Sequence, residues 1–227
     1  MAKREQRSRT LAIGDVHGCR IQLEGLFEVL QPTRSDTVVM LGDYVDRGPD
    51  SKGVIDLLRA FEVRTQLICL RGNHEIMMLG AVKDMEMAAD WSDVGGHVTI
   101  ASYGTSSADI PAHHWFFLKN TVPYYETETH IFVHASIYPE LPLAEQPDFM
   151  LYWERFGSGA PHQSGKTVVC GHTSQKSGLP ANIGHAICID THAYRSGWLT
   201  ALDVDTGQYW QVHSDGDVRT DHINACN

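Results

Sequence analysis

Asp15 and His17 stand two positions apart in "GDVHG". In an extended segment that spacing puts both side chains on one side, within reach of a single ion. Similar polar clusters return along the chain: "GDYVDRG" with Asp43, Asp46 and Arg47, "RGNHE" with Asn73 and His74, "HAS" with His134, and "GHT" with His172. Collected, Asp15, His17, Asp43, Asn73, His134 and His172 are carboxylates, imidazoles and an amide. That mixed oxygen–nitrogen set suits Mn, Fe or Zn better than Ca. It is too large for one tetrahedral site, so the expected centre holds two divalent ions, most simply bridged by Asp43. Two ions about 3.5–4 Å apart lower the pKa of a shared water from about 15.7 towards ~7. They also neutralise phosphoryl oxygens in an in-line displacement.

The remaining members of the clusters complete that chemistry. His74, beside Asn73, is placed to protonate a leaving group. Asp46, three residues past Asp43, can fix its tautomer by accepting from the other ring nitrogen. Arg47 supplies a planar fork that matches phosphate geometry. The blander alternatives are an Asx-turn for Asp46 and an ion pair with Asp50 for Arg47.

These residues must be carried by something regular. Each cluster follows a short apolar run: "TLAI", "TVVML", "TQLICL", "HIFV" and "KTVVC". Such runs read as strands buried on both faces. Between the first three, Leu23, Leu26, Phe27 and Leu30 keep helical spacing, as do Val54, Leu57, Leu58 and Phe61. Asp50 or Ser51 is the expected N-cap of the second helix. Strand, helix, strand predicts parallel α/β structure, with the polar clusters converging at the carboxyl edge where such sheets bind ligands. "EIMMLGAVKDMEMAADW" reads as one helix before a Gly95-Gly96 break, and "IPAHHWFFLKN" as another, making a helical insertion at about 75–120. Beyond residue 185 the pattern predicts antiparallel strands, with "DTG" as a hairpin turn. No repeat or linker divides residues 1–227, so a single domain is expected.

"GDVHG", "GDYVDRG", "GNHE", "VHA" and "GHT", in this order, resemble the motif set of the phosphoprotein phosphatase family within the calcineurin-like metallophosphoesterases. The resemblance spans residues 14 to 173, and "RGNHEIMM" looks most like the bacterial and phage Ser/Thr protein phosphatases. It implies a β-sandwich flanked by helices. It also implies Asp15, His17 and Asp43 as ligands of one metal, and Asp43, Asn73, His134 and His172 as ligands of the other. His74 matches the general acid, Asp46 its partner, and Arg47 a phosphate-binding arginine. Arg155 in "LYWERF" sits where bacterial and phage members carry a second one. The chain departs from relatives where they read "DTGA" and a Gly-Gly pair: it has "DTHA" at 190–193 and "RSGW" at 195–198. His192 and Arg195 therefore add bulk and charge near the site.

Composition narrows the partners. A net charge of −10 argues against an extended polynucleotide surface, while leaving room for a local cationic pocket. No apolar run approaches the ~20 residues of a membrane span. The basic start "MAKREQRSRT" lacks a signal-peptide core and reads as a frayed, solvated segment. Cys19, Cys69, Cys170, Cys188 and Cys226 are scattered, which predicts free thiols and a cytoplasmic setting. Cys19 reads as a small buried residue. Met77, Met78, Met85 and Met87 read as core. His113 and His114 read as solvated positions at a helix start. The expected activity is a two-metal phosphomonoesterase, most simply a serine/threonine protein phosphatase acting on phosphorylated proteins or peptides. Hydroxide bridging the metals would attack and His74 would act as general acid. A dinucleoside polyphosphate hydrolase is the nearest alternative, and a non-catalytic binding module of the same fold is a more remote one.

Overall fold

The structure is a computed structural model that describes residues 8–157 and 159–223. The basic segment 1–7 and Cys226 lie outside the described residues.

The chain begins as the hydrophobic runs dictate. Strands β1 (Thr10–Ile13), β2 (Thr37–Met40) and β3 (Gln66–Cys69) lie side by side and parallel. They are joined by helices α1 (Arg20–Leu30) and α2 (Ser51–Phe61). Asp50 caps α2, accepting from the Gly53 N–H at 2.7 Å. Four further helices follow: α3 (Asn73–Ala81), α4 (Met85–Trp91), α5 (His97–Tyr103) and α6 (Ala112–Lys119). The second sheet comprises β4 (Tyr124–Glu126), β5 (His130–Val133), β6 (Thr167–Cys170), β7 (Ala181–Asn182) and β8 (Ala186–Cys188). Its order is β4-β5-β6-β8-β7. Helix α7 (Asp148–Tyr152) lies between β5 and β6 in the chain, and the short α8 (Ala193–Ser196) follows β8. Strands β9 (Leu199–Asp203), β10 (Gln208–Val212) and β11 (Val218–His222) then return antiparallel to the first sheet beside β1. Asp205, Thr206 and Gly207 turn the β9–β10 hairpin, with Gly207 at φ +74°.

The five motif strands are thus shared between two sheets, three in one and two in the other. Alternation along each strand explains the sandwich. Ala12, Val39, Leu202 and Tyr209 from the first sheet meet Phe132 and Val169 from the second, forming the layer between them. Leu11, Ile13, Val38 and Met40 face the other way, onto Leu23, Leu26 and Phe27 of α1 and Val54, Ile55 and Leu58 of α2. Phe27 and Phe61 stack at 3.7 Å between centroids. Ile131, Val133, Val168 and Cys170 pack on Leu143, Leu151 and Tyr152. Each fully buried Leu, Ile or Phe contributes about 1.5–3 kcal/mol.

Several local expectations are corrected. β3 is an edge strand, and its Gln66 to Cys69 are exposed or half-buried rather than covered on both faces. The long methionine-bearing helix is two helices, because Asp84 accepts from the N–H groups of Glu86 and Met87 and starts a new one. The restart changes the helical phase: Met78 is buried, but Met85 is 91% exposed and Met87 is exposed too. β8 runs parallel to β6 and antiparallel only to the two-residue β7. His114 is fully buried, donating from Nε2 to Asp56 (2.9 Å) and accepting from the Tyr103 hydroxyl (2.8 Å). Cys19 is buried, as expected, and Cys19, Cys69, Cys170 and Cys188 are free thiols. No helix among the described residues is long and apolar enough to cross a membrane.

Candidate metal centre

The loops that follow the strands meet at one end of the sandwich. The N–H groups of Val16 and His17 both donate to the Asp43 carbonyl, pinning the first loop to the second. The His172 N–H donates to the Asp15 carboxylate (3.0 Å to Oδ2), which ties the second sheet to the first. The Asp43 carboxylate accepts the His74 N–H (3.1 Å) and so caps the start of α3, where the helix dipole favours negative charge. Gly72 makes this approach possible, because a Cβ there would strike Asp43 itself.

The side chains of these motifs come together there. Asp15, His17, Asp43, Asn73, His74 and His134 are buried, and His172 is half-buried. His17, Asp43 and His74 bring one ligand atom each within 4.8 Å of one another, as do Asp15, Asp43 and His134. Asp43 belongs to both groups. Hydrogen bonds fix which imidazole nitrogen faces inward. His17 and His134 donate from Nδ1 to the carbonyls of Val45 and Leu41, both at 2.8 Å, leaving Nε2 for a ligand. His172 donates from Nε2 to the Trp153 carbonyl (3.1 Å) and turns Nδ1 toward Asn73 (3.2 Å). Such backbone partners are how metal-ligating histidines are oriented.

Electrostatics shows whether these residues suit a cation. Burial, then the neighbouring Asp190 and Asp43 carboxylates, holds the Asp15 carboxyl well above its usual range. Burial drives His17 well below its ordinary value and His172 down to about 4, so both offer neutral lone pairs. Burial also lifts Asp43, but the imidazoles of His134, His74, His17 and His172 outweigh it and keep that carboxyl low. A buried carboxyl raised by burial and by its carboxylate neighbours, beside imidazoles whose tautomers backbone carbonyls fix, fits a divalent cation: metal charge would let Asp15 ionise alongside Asp43.

Beside this cluster His74 donates from Nδ1 to Asp46 Oδ2 (2.6 Å). Burial lowers the imidazole, but Asp43 and Asp46 together raise it above its ordinary value. Arg47 donates from Nη1 to His17 Nε2 (3.0 Å), and its guanidinium lies over the Tyr194 ring, 5.0 Å from the centroid. Asp50 pairs with Arg20 instead. Arg155 is not drawn into the cluster: it is exposed, in the segment after α7, and its N–H donates to the Glu154 carboxylate.

Sequence reasoning overlooked the residues that hold these in place. Trp91 Nε1 donates to Asp46 Oδ2 (2.8 Å) and Thr99 Oγ1 to Asp46 Oδ1 (2.6 Å). The Asp46 N–H in turn donates to Thr99 Oγ1 (2.8 Å). Both residues come from the helices between β3 and β4, where a π-type turn at 92–96 with Gly95 at φ +120° carries the chain from α4 into α5. Glu75 accepts the N–H groups of Asp43, Tyr44 and Gly72, fastening α3 to the second loop. Its place three residues after Gly72 is a capping-box position, which could have flagged it; nothing local flags Trp91 or Thr99. Backbone strain also gathers here: His17, Asp43, Asp46, Arg47, His172 and His192 all have φ between 44° and 72°.

This fold and site define a metallophosphoesterase, and the chain belongs to the calcineurin-like phosphoesterases, whose family model matches residues 8–206. It is a phosphoester hydrolase. Serine/threonine-protein phosphatase 1 of Salmonella typhimurium is 31% identical over 83% of this chain and 88% of its own length. A symmetrical bis(5'-nucleosyl)-tetraphosphatase of Pseudomonas putida is 30% identical over 60% of this chain, which spans 45% of that protein. In fold, the cold-active protein-tyrosine phosphatase of a psychrophilic Shewanella superposes with a TM-score of 0.62, at 20% identity, over 95% of this chain and 80% of that one.

Proposed function

We propose that the chain is a two-metal phosphomonoesterase acting on phosphoserine or phosphothreonine in proteins, built as one domain with a helical insertion at about 75–120. Asp15, His17 and Asp43 would hold one ion, and Asp43, Asn73, His134 and His172 the other, with Mn the leading choice and Fe or Zn chemically suited. Bound there, two divalent ions supply an activated water and charge neutralisation at the phosphoryl group. Arg47 clamps the phosphoryl oxygens, with Arg155 as a second, outlying candidate. His74, held by Asp46, delivers a proton to the departing oxygen. The free thiols support a reducing, cytoplasmic setting.

The observation that carries this reading is the 2.6 Å His74–Asp46 pair beside the shared Asp43. A serine alkoxide is a poor leaving group and needs an acid of this kind. The broader overlap with the Salmonella phosphatase favours phosphoprotein over dinucleotide, whereas the tetraphosphatase resemblance supports dinucleoside polyphosphate hydrolysis as the second reading. A phosphoserine and phosphothreonine peptide panel, compared with diadenosine tetraphosphate on one Mn-loaded preparation, tests it. Higher kcat/KM on the peptides is expected; a clear preference for the dinucleotide would reverse the order.

A further inference from the structure

The Tyr194 ring carries two guanidinium groups, that of Arg47 5.0 Å from its centroid and that of Arg195 5.9 Å away. The separation of the two charges cannot exceed the sum of those distances. Arg47 is turned into the site through His17, but Arg195 is exposed, and among the described residues neither pairs with a carboxylate. The rings of His17 and His192 also meet Tyr194 edge-on, with centroids at 5.2 and 4.8 Å. This small helix therefore projects an aromatic face and a second cation beside the phosphate clamp. Next to it lies a groove of about 370 Å³, bounded by Gly18, Cys19, Arg20, Pro49, Tyr194 and Arg195. Glu24 and Asp50 line the same groove and both pair with Arg20, so Arg195 is the cation of its lining that no carboxylate among the described residues engages. His192 reports the same field: burial lowers its imidazole first, and Arg195, Arg47 and Lys176 push it further down against the pull of Asp190.

We propose that this groove is a subsite for a second anionic group of the substrate, a carboxylate or phosphate carried close to the scissile phosphate and held by Arg195 beside the Tyr194 ring. The proposal rests on the phosphoesterase reading above and adds a substrate preference to it. An extended peptide advances about 3.3–3.6 Å per residue, so an acid one or two positions from a phosphoserine falls within the span set by Tyr194. The neighbouring phosphate of a polyphosphate is the other source of the same chemistry. The net charge of −10 opposes long acidic runs, so the groove selects one added anion, not many.

The test uses two phosphoserine peptides that differ only in an Asp or Ala beside the phosphoserine, with diadenosine tetraphosphate and p-nitrophenyl phosphate as a second pair. On the Mn-loaded enzyme, Arg195→Ala should raise KM for the Asp peptide about 3–10-fold relative to the Ala peptide, with kcat held. Arg195→Lys should recover part of the preference, and salt should narrow it in the wild type. A relative loss on the peptide pair alone identifies a carboxylate; on the second pair alone, a phosphate. An Arg195→Ala variant with both ratios unchanged, equal losses within each pair included, overturns the subsite. Hydrolysis of the dinucleotide but of neither peptide would sink the protein-phosphatase reading instead, and the second pair would then decide the subsite.

Discussion

Asp46→Asn separates orientation from charge at the His74 pair. The Asp46 carboxylate accepts from His74 and Trp91 at Oδ2 and from Thr99 at Oδ1. An asparagine can keep its carbonyl toward His74 and Trp91 and turn its amide toward the Thr99 oxygen, so the imidazole stays in place. What disappears is the negative partner that stabilises a charged His74. A hydrogen bond to a charged group contributes about 1.5–3 kcal/mol. At tenfold per 1.4 kcal/mol, the loss should be about 10- to 150-fold in kcat where leaving-group protonation limits the rate. Removing the acid itself, in His74→Asn, should cost about 10²–10⁴-fold. The assay is kcat on a phosphoserine peptide and on p-nitrophenyl phosphate, whose leaving group departs as a stable anion, with metal content measured on each variant. Both variants should keep their metal and lose much more on the peptide than on the aryl ester. Equal losses on the two substrates with metal retained would refute the general-acid role and leave His74 positioning phosphate or water.

Arg47→Ala should raise KM and the inhibition constant for inorganic phosphate about 10-fold or more with metal content intact, and Arg47→Lys should restore only part, since a point charge lacks the fork; wild-type kinetics for Arg47→Ala would discard the clamp. Chelation should abolish activity and Mn²⁺ should return it, with two ions per chain by elemental analysis; fully active protein free of transition metal would end the two-metal reading. Burial alone would lift the Asp36 carboxyl, but bonds from Arg9 and Thr33 hold it below its usual value. A depressed folded-state pKa stabilises above the unfolded value of about 3.9 and is lost as pH falls through the folded one. Asp36→Asn should therefore destabilise the fold at pH 7 by about 2–3 kcal/mol, a gap that closes on acidification below about pH 4. Parallel denaturation curves at pH 7 and pH 3 would contradict it.

The loops of the candidate ligands were legible because strand and polar cluster are adjacent in sequence and the pairing recurs five times; a lone Asp-x-His would read as a surface turn. The sandwich was not legible from periodicity: "HIFV" looks the same whether it extends the first sheet or starts a second, and only the family resemblance implied the division. The methionines misled because Asp84 restarts the helix and moves Met85 and Met87 out of the phase set by Met78. The clamp on Asp46 was invisible for another reason. Trp91 and Thr99 lie 45 and 53 residues from it, and no local pattern encodes such a meeting. His192 was marked as a departure from "DTGA"; its φ of +63° is a conformation that glycine adopts more readily.

The bond from the His172 N–H to Asp15 joins residues 157 positions apart. On a growing polypeptide, made at about 5–20 residues per second, the two ends of the centre are synthesised roughly 8–30 s apart. Through that interval Asp15 and His17 exist without His172, and for most of it without His134. Strands β1, β2 and β3 can pair and α1 and α2 can dock, because those contacts are local, but β9, β10 and β11, which complete the first sheet, come later still, and the candidate ion-binding cage has no far wall until β6 has been made. Closing so long a loop is slow and comes late. Truncated chains ending before residue 172, which lack His172 and the β9–β11 half of the first sheet, should be catalytically silent.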